Sequence, residues 1–104
     1  MSPDRGEVWW AEVPDTGRRP FVVLTRSRAI PVLHSLLAAP VTRHVRGIAT
    51  EVPLGPEEGM PEACAASLDN LRVLPKAYLT TRICSLGPVA MAAVCAALGD
   101  AVDC

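Results

Sequence analysis

The sequence lacks several things that would have settled its class early. Its longest stretch without charge, Ile83 to Gly99, is alanine-rich and interrupted near its start by Gly87-Pro88. It falls short of the ~20 residues a membrane-spanning helix needs, which argues against a membrane protein. The opening Met1-Ser2-Pro3-Asp4-Arg5-Gly6-Glu7 has no apolar core of the kind that marks a chain for export. Cys64, Cys84, Cys95 and Cys104 form no Cys-x-x-Cys, and no histidine lies at zinc-ligand spacing beside them. Reduced, mostly buried thiols in a cytoplasmic protein are the expectation. No cluster of His, Asp and Glu reads as a metal site and no Ser-His-Asp set reads as a nucleophilic triad, so neither metal nor cofactor is expected.

Acidic residues are also missing between Asp15 and Glu51, where Arg18, Arg19, Arg26, Arg28, Arg43 and Arg46 fall. From Glu51 to Asp69 the sign reverses, with five carboxylates and no lysine or arginine. The net charge of −1 hides this segregation, which predicts one basic and one acidic surface. Of the ten basic residues only Lys76 is not arginine, and the flat, many-donor guanidinium suits phosphate better than an ammonium does. At 104 residues the chain is sized for one domain, 1–104. Half its residues are apolar, more than a monomer this small readily hides, and a homo-oligomer is the natural outcome.

Glu7 to Val13 reads as a strand and Pro14-Asp15-Thr16-Gly17 as a turn. The unbroken run from Pro20 to Thr25 reads as a strand buried on both faces. Over Ala29 to Leu37, Val32, Leu33, Leu36 and Leu37 are spaced for one face of a short helix, with Pro31 allowed in its first turn. Ala38–Arg43 and Thr50–Leu54 predict two more strands around a turn at Gly47, and Gly55 to Pro61 a surface loop. Cys64–Leu74 and Thr81–Leu86 supply further short strands. A terminal helix starts at Gly87-Pro88, with Met91, Val94, Cys95, Leu98 and Val102 on one stripe and Ala90, Ala93, Ala97 and Ala101 opposite, so both sides should pack. Short strands in close succession and one terminal helix predict a mainly β, α+β fold: a small bent barrel or paired sheets with helices appended.

Arg5-Gly6-Glu7-Val8-Trp9 resembles the opening of the MazF/PemK-like toxins, and Arg19-Pro20-Phe21-Val22-Val23-Leu24 resembles their second strand. Ala39-Pro40-Val41-Thr42 matches the segment that ends their third. Arg46-Gly47-Ile48-Ala49-Thr50-Glu51-Val52, typical of the actinobacterial branch, and Ser67-Leu68-Asp69-Asn70 extend the likeness over nearly the whole chain. These weak pieces, set in the right order, make one strong signal. The resemblance implies an SH3-like barrel of the CcdB/MazF type, a homodimer, sequence-selective cleavage of single-stranded RNA, and a cognate MazE-like antitoxin laid over the dimer. It carries the family's catalytic arginine and threonine onto Arg19 and Thr42. The loop Pro14 to Arg18 is shorter than in many relatives, where it forms a flap over RNA.

The chemistry is consistent with those residue types. RNA supplies its own nucleophile, the 2′-hydroxyl, so an enzyme need only align it, stabilise charge at phosphorus and manage two protons. Arg19 suits the phosphate and Thr42 one hydrogen bond to it, and the products would be a 2′,3′-cyclic phosphate and a 5′-hydroxyl. His44 lies two residues past Thr42, on the same face of a continuing strand, where an imidazole could pass protons. Arg18, Arg26, Arg43 and Arg46 are candidates for RNA backbone contacts, and Asn70 for reading a base edge. Trp9 and Trp10 must face opposite ways, one into the core and the other toward an interface or stacking surface. Two other classes remain open on sequence: a CcdB-like gyrase poison of the same fold, and a non-catalytic SH3-like binding module.

Overall fold

The computed structural model describes residues 2–102, so Cys104 lies outside the described residues. Seven strands run in chain order as β1 Glu7–Val13, β2 Gly17–Val23, β3 Ser35–Thr42, β4 Glu51–Leu54, β5 Cys64–Ser67, β6 Arg72–Pro75 and β7 Leu79–Ser85, and helix α1 spans Pro88–Val102. All pairings are antiparallel, in the order β4-β5-β3-β2-β1-β7, with β6 also on β3. β3 is the hinge of the architecture. Along one edge it pairs with β2, while its other edge passes from β6 at residues 35–38 to β5 at residues 41 and 42. The register of β1 on β7 shifts on either side of Trp9-Trp10, leaving Ile83 and Thr80 of β7 unopposed. Extra residues of this kind bend and twist a strand. The sheet therefore curves as a barrel does, but β4 and β7 at its two ends are not hydrogen-bonded to each other.

The strands hide both faces, as the unbroken run in β2 requires. Val22 joins Val8, Ala39, Val41, Val52 and Leu54 beneath α1, while Phe21 packs with Ala11, Val13, Ala38 and Leu74 on the other side. Val23 packs there too, with Trp9, Ile30 and Leu36. Trp9 is thus the core tryptophan and Trp10 the half-buried one.

Three expectations need correction. The helix over Ala29 to Leu37 is absent: Ile30–Val32 form a single 3-10 turn and β3 begins at Ser35. Val32, central to the supposed apolar face, is 83% exposed, whereas Leu36 joins one core and Ala39 the other. Neighbouring strands won over local spacing, since Leu24 N–H donates to Leu37 and β6 pairs with residues 35–38. Secondly, α1 buries neither predicted stripe whole. Val94 and Ala97 are buried and Ala90, Met91, Leu98 and Ala101 lean on the core, while Cys95, Val102 and Ala93 are exposed. Thirdly, the basic and acidic segments do not form separate surfaces. They meet, as Arg46 Nε pairs with Glu51 at 2.9 Å and Arg43 with Glu62 at 3.3 Å. Among the described residues no helix is long and apolar enough to cross a membrane.

Candidate active site

The register of β2 on β3 builds the site. Phe21 faces Pro40, Val22 faces Ala39 and Val23 faces Ala38. Antiparallel partners move in opposite directions by equal steps, so two residues beyond the Phe21–Pro40 pair, Arg19 comes opposite Thr42 on one face. Both residues are half-buried, and both border two neighbouring clefts. His44 borders the same two clefts. The three residues stand at the ridge where the clefts meet.

The clefts differ in chemistry. The first, of about 400 Å3, has a floor of Trp10, Pro20, Val41, Met60 and Cys64 and a charged rim of Arg18, Arg43 and Glu62. The second, of about 710 Å3, is lined on its far side by Ser67, Asp69, Asn70 and Arg72, with Arg46 at its edge. Among the described residues the Arg19 side chain makes no hydrogen bond or ion pair, so its guanidinium is available to an anion. The Thr42 hydroxyl accepts a hydrogen bond from the His44 backbone N–H at 3.0 Å. Accepting that bond leaves the hydroxyl's own proton free to be donated to a ligand in the clefts. The Arg18 guanidinium lies over the Trp10 ring, 4.3 Å from its centroid.

The loop between β3 and β4 carries His44 and Arg46 and is anchored from β4 by a buried carboxylate. Glu51 is buried at the start of β4 and its carboxylate accepts from Arg46 N at 2.7 Å, Gly47 N at 3.2 Å and Arg46 Nε at 2.9 Å. Gly47 has φ +71°, a left-handed turn that glycine adopts freely. The Arg46 side chain foremost, together with these backbone donors, holds the Glu51 carboxyl below the usual carboxylate range. In contrast, burial pushes the Cys64 thiol up, and the nearby Glu62, Cys84 and Glu58 add to it. A thiol kept protonated is a poor nucleophile.

Most of the residues expected at the site are gathered here: Arg18, Arg19, Thr42, Arg43 and His44 at the first cleft, and Arg19, Thr42, His44, Arg46 and Asn70 at the second. Arg26 is not. It begins the turn after β2, beyond the end of the β2–β3 ladder opposite Arg19, and borders neither cleft. Asn70 Nδ2 donates to Ser67 Oγ at 2.8 Å, leaving its carbonyl oxygen and second N–H outward. Ser67, Asp69, Arg72 and Met60 were not anticipated as lining residues: the Ser67–Asn70 motif pointed to Asn70 alone, and Arg72 and Met60 reach the clefts only through the tertiary fold. Among the described residues no three His, Cys, Asp or Glu side chains stand together as a set that could hold a metal ion.

The comparisons with known proteins agree. The chain is 47% identical over 103 residues to the probable endoribonuclease MazF5 of Mycobacterium tuberculosis, covering 98% of this chain and 94% of that one. The structure of the M. tuberculosis toxin MazF-mt6 matches with a TM-score of 0.87 and 33% identity, over 93% of this chain and 96% of that one. A MazE–MazF structure from Deinococcus radiodurans matches with a TM-score of 0.81 and 26% identity, over 98% and 96%. The model of the PemK-like, MazF-like toxins of type II toxin–antitoxin systems fits residues 4–102. From the arginine and threonine set across from each other on β2 and β3 to the match along almost its whole length, this chain belongs to the PemK-like, MazF-like toxins.

Proposed function

We propose that this chain, as a single domain, is a sequence-selective endoribonuclease toxin that cuts single-stranded RNA in the cytoplasm, works as a homodimer and is restrained by a MazE-like antitoxin. The observation that carries the reading is the meeting of Arg19 and Thr42 at the ridge between two open clefts. The 2′-hydroxyl attacks the adjacent phosphorus and gives up its proton, the bond from phosphorus to the 5′-oxygen breaks, and that oxygen takes a proton. A 2′,3′-cyclic phosphate and a 5′-hydroxyl remain. Arg19 grips the phosphoryl oxygens hardest when their charge is greatest, and Thr42 donates one hydrogen bond to them. The role assigned to the Arg19 guanidinium is to stabilise charge on the phosphoryl oxygens, not to act as a base. His44 adds an imidazole, which can take up or pass on a proton, to the border of both clefts.

The relatives support the rest. MazF5 bears the name of an endoribonuclease, and the D. radiodurans structure contains MazE with MazF. The dimer is argued from α1, whose outer side presents Val89, Ala92, Ala93 and Ala96 to solvent, with no charge on the helix before Asp100.

The test is cleavage of RNA in excess EDTA, alongside RNA whose 2′-hydroxyl at the cut is replaced by hydrogen. Because the nucleophile belongs to the substrate, cutting should persist with the chelator and stop with the 2′-deoxy substrate. Loss of activity that magnesium restores, or normal cutting of the deoxy substrate, refutes the mechanism.

A further inference from the structure

Resting on that reading, the shape of the ridge assigns more than the place of the cut. Two clefts of unlike chemistry meet at Arg19, Thr42 and His44, and a strand whose scissile phosphate lies on the ridge must send the nucleotide on one side into each. We propose that the two nucleotides flanking the cut are bound by different physics: one is stacked and accepted whatever its base, and the other is read by hydrogen bonds.

The first cleft has the features of a stacking site. Its floor is apolar, and Trp10 lies in it half-buried with the flat Arg18 guanidinium held against its ring. Unstacked bases settle on aromatic rings and on guanidinium planes alike, and every base has a face to offer. The Arg18 side chain makes no hydrogen bond or ion pair among the described residues, and the contact it does make is with the Trp10 ring. A base lying on Arg18 would continue the stack that Trp10 begins. Cys64 and Met60 beneath it offer only weak donors or acceptors.

The second cleft has the features of a reading site. Asn70 is fixed by its bond to Ser67 and turns a carbonyl oxygen and an N–H outward, the paired acceptor and donor that match a base edge. Beside it, the Asp69 carboxylate accepts from the Thr50 hydroxyl and keeps further lone pairs for an exocyclic amino group. Both residues belong to one 3-10 turn, Leu68–Asn70, whose Leu68 is buried in the main core, so the readers stand on a rigid support. Here a wrong base leaves polar groups unmatched, while in the first cleft it costs little.

The experiment maps 5′-hydroxyl ends after brief digestion of a random-sequence RNA pool by the full chain. Wild type should show a sharp preference at one nucleotide adjoining the cut and a weak one at the other. Asn70→Ala and Asp69→Asn should broaden the sharp position and leave the other alone. Arg18→Ala and Trp10→Ala should slow cleavage of all sequences about equally, by roughly tenfold for the loss of one stacking partner, with the preferences unchanged. Arg18 is exposed, so its variant holds if Trp10→Ala does not fold. As a second readout, RNA with 2′-methoxy at the cut should quench tryptophan fluorescence in wild type, through Trp10 since Trp9 is buried. An Arg18→Ala or Trp10→Ala enzyme with altered sequence preference, or an Asn70→Ala enzyme as selective as wild type, overturns the assignment. Arg19→Ala in the same pool separates the two levels. If it cuts at close to the wild-type rate, the catalytic reading fails; if its cutting collapses while the Asn70 and Arg18 results go the wrong way, only the division between the clefts fails.

Discussion

At the scale of single residues, the arginines near the clefts divide into those already engaged and those left for a ligand. Arg43 is paired with Glu62 and Arg46 with the buried Glu51, while Arg19 has no partner among the described residues. Replacing Arg19 by alanine should therefore leave thermal stability close to wild type and lower cleavage by roughly a thousandfold or more, the scale on which a transition-state arginine acts. Thr42→Ala should be milder, about a hundredfold, because one hydrogen-bond donor is lost rather than a charge. Initial rates on one defined oligonucleotide, with melting curves for each variant, check both. Equal, small losses for the two would mean that neither touches the reacting phosphate. These two residues were legible in the sequence through the order of short motifs around them. What the sequence could not show was that the β2–β3 register sets them opposite each other, since that pairing spans eleven residues of turn and loop whose path is fixed by β6 and the core.

At the scale of elements, local pattern served well where a segment's neighbours agreed with it and failed where they did not. The seven strands and α1 were mostly visible as apolar runs between turn residues, but the segment Ala29 to Leu37 carries helical spacing and is claimed by a sheet edge instead. Glu51 was missed for a related reason: an acidic residue inside a strand looks like a solvated one until the loop it caps is seen folding back onto it. Because its folded-state pKa is depressed, Glu51 contributes stability that is present above its ordinary value of 4.5 and is lost as the pH falls through the lower folded value. Glu51→Gln should remove that part of the acid dependence in melting curves run between neutral and acidic pH, and an unchanged acid limb would show that the carboxylate does not matter there. The loop before β5 offers a second test. Gly59 has φ +103°, and a methyl group there would lie 2.7 Å from Cys84 Cβ. Gly59→Ala should cost about 1–3 kcal/mol for the backbone alone, more with the clash, read as a drop in the denaturation midpoint.

At the scale of the whole molecule, α1 carries an apolar face that the fold of one chain does not use. Val89 is 86% exposed on the first turn of α1, and the exposed Ala92, Ala93 and Ala96 continue its surface without a charge. The inner side of the helix is already used by Val94 and Ala97, so this outer face is surplus to the fold of one chain. In a two-fold dimer each buried group counts twice, and burying a valine side chain is worth about 1.5–3 kcal/mol. Val89→Asp would withdraw that contribution from both protomers and place a carboxylate against each partner, while costing the monomer little because the position touches no core. The variant should therefore sediment as a monomer at concentrations where wild type is dimeric, with an unchanged circular dichroism spectrum. A variant that remains dimeric moves the interface to another surface, and the exposed Val32 and Leu33 in the turn before β3 are then the apolar side chains to replace next.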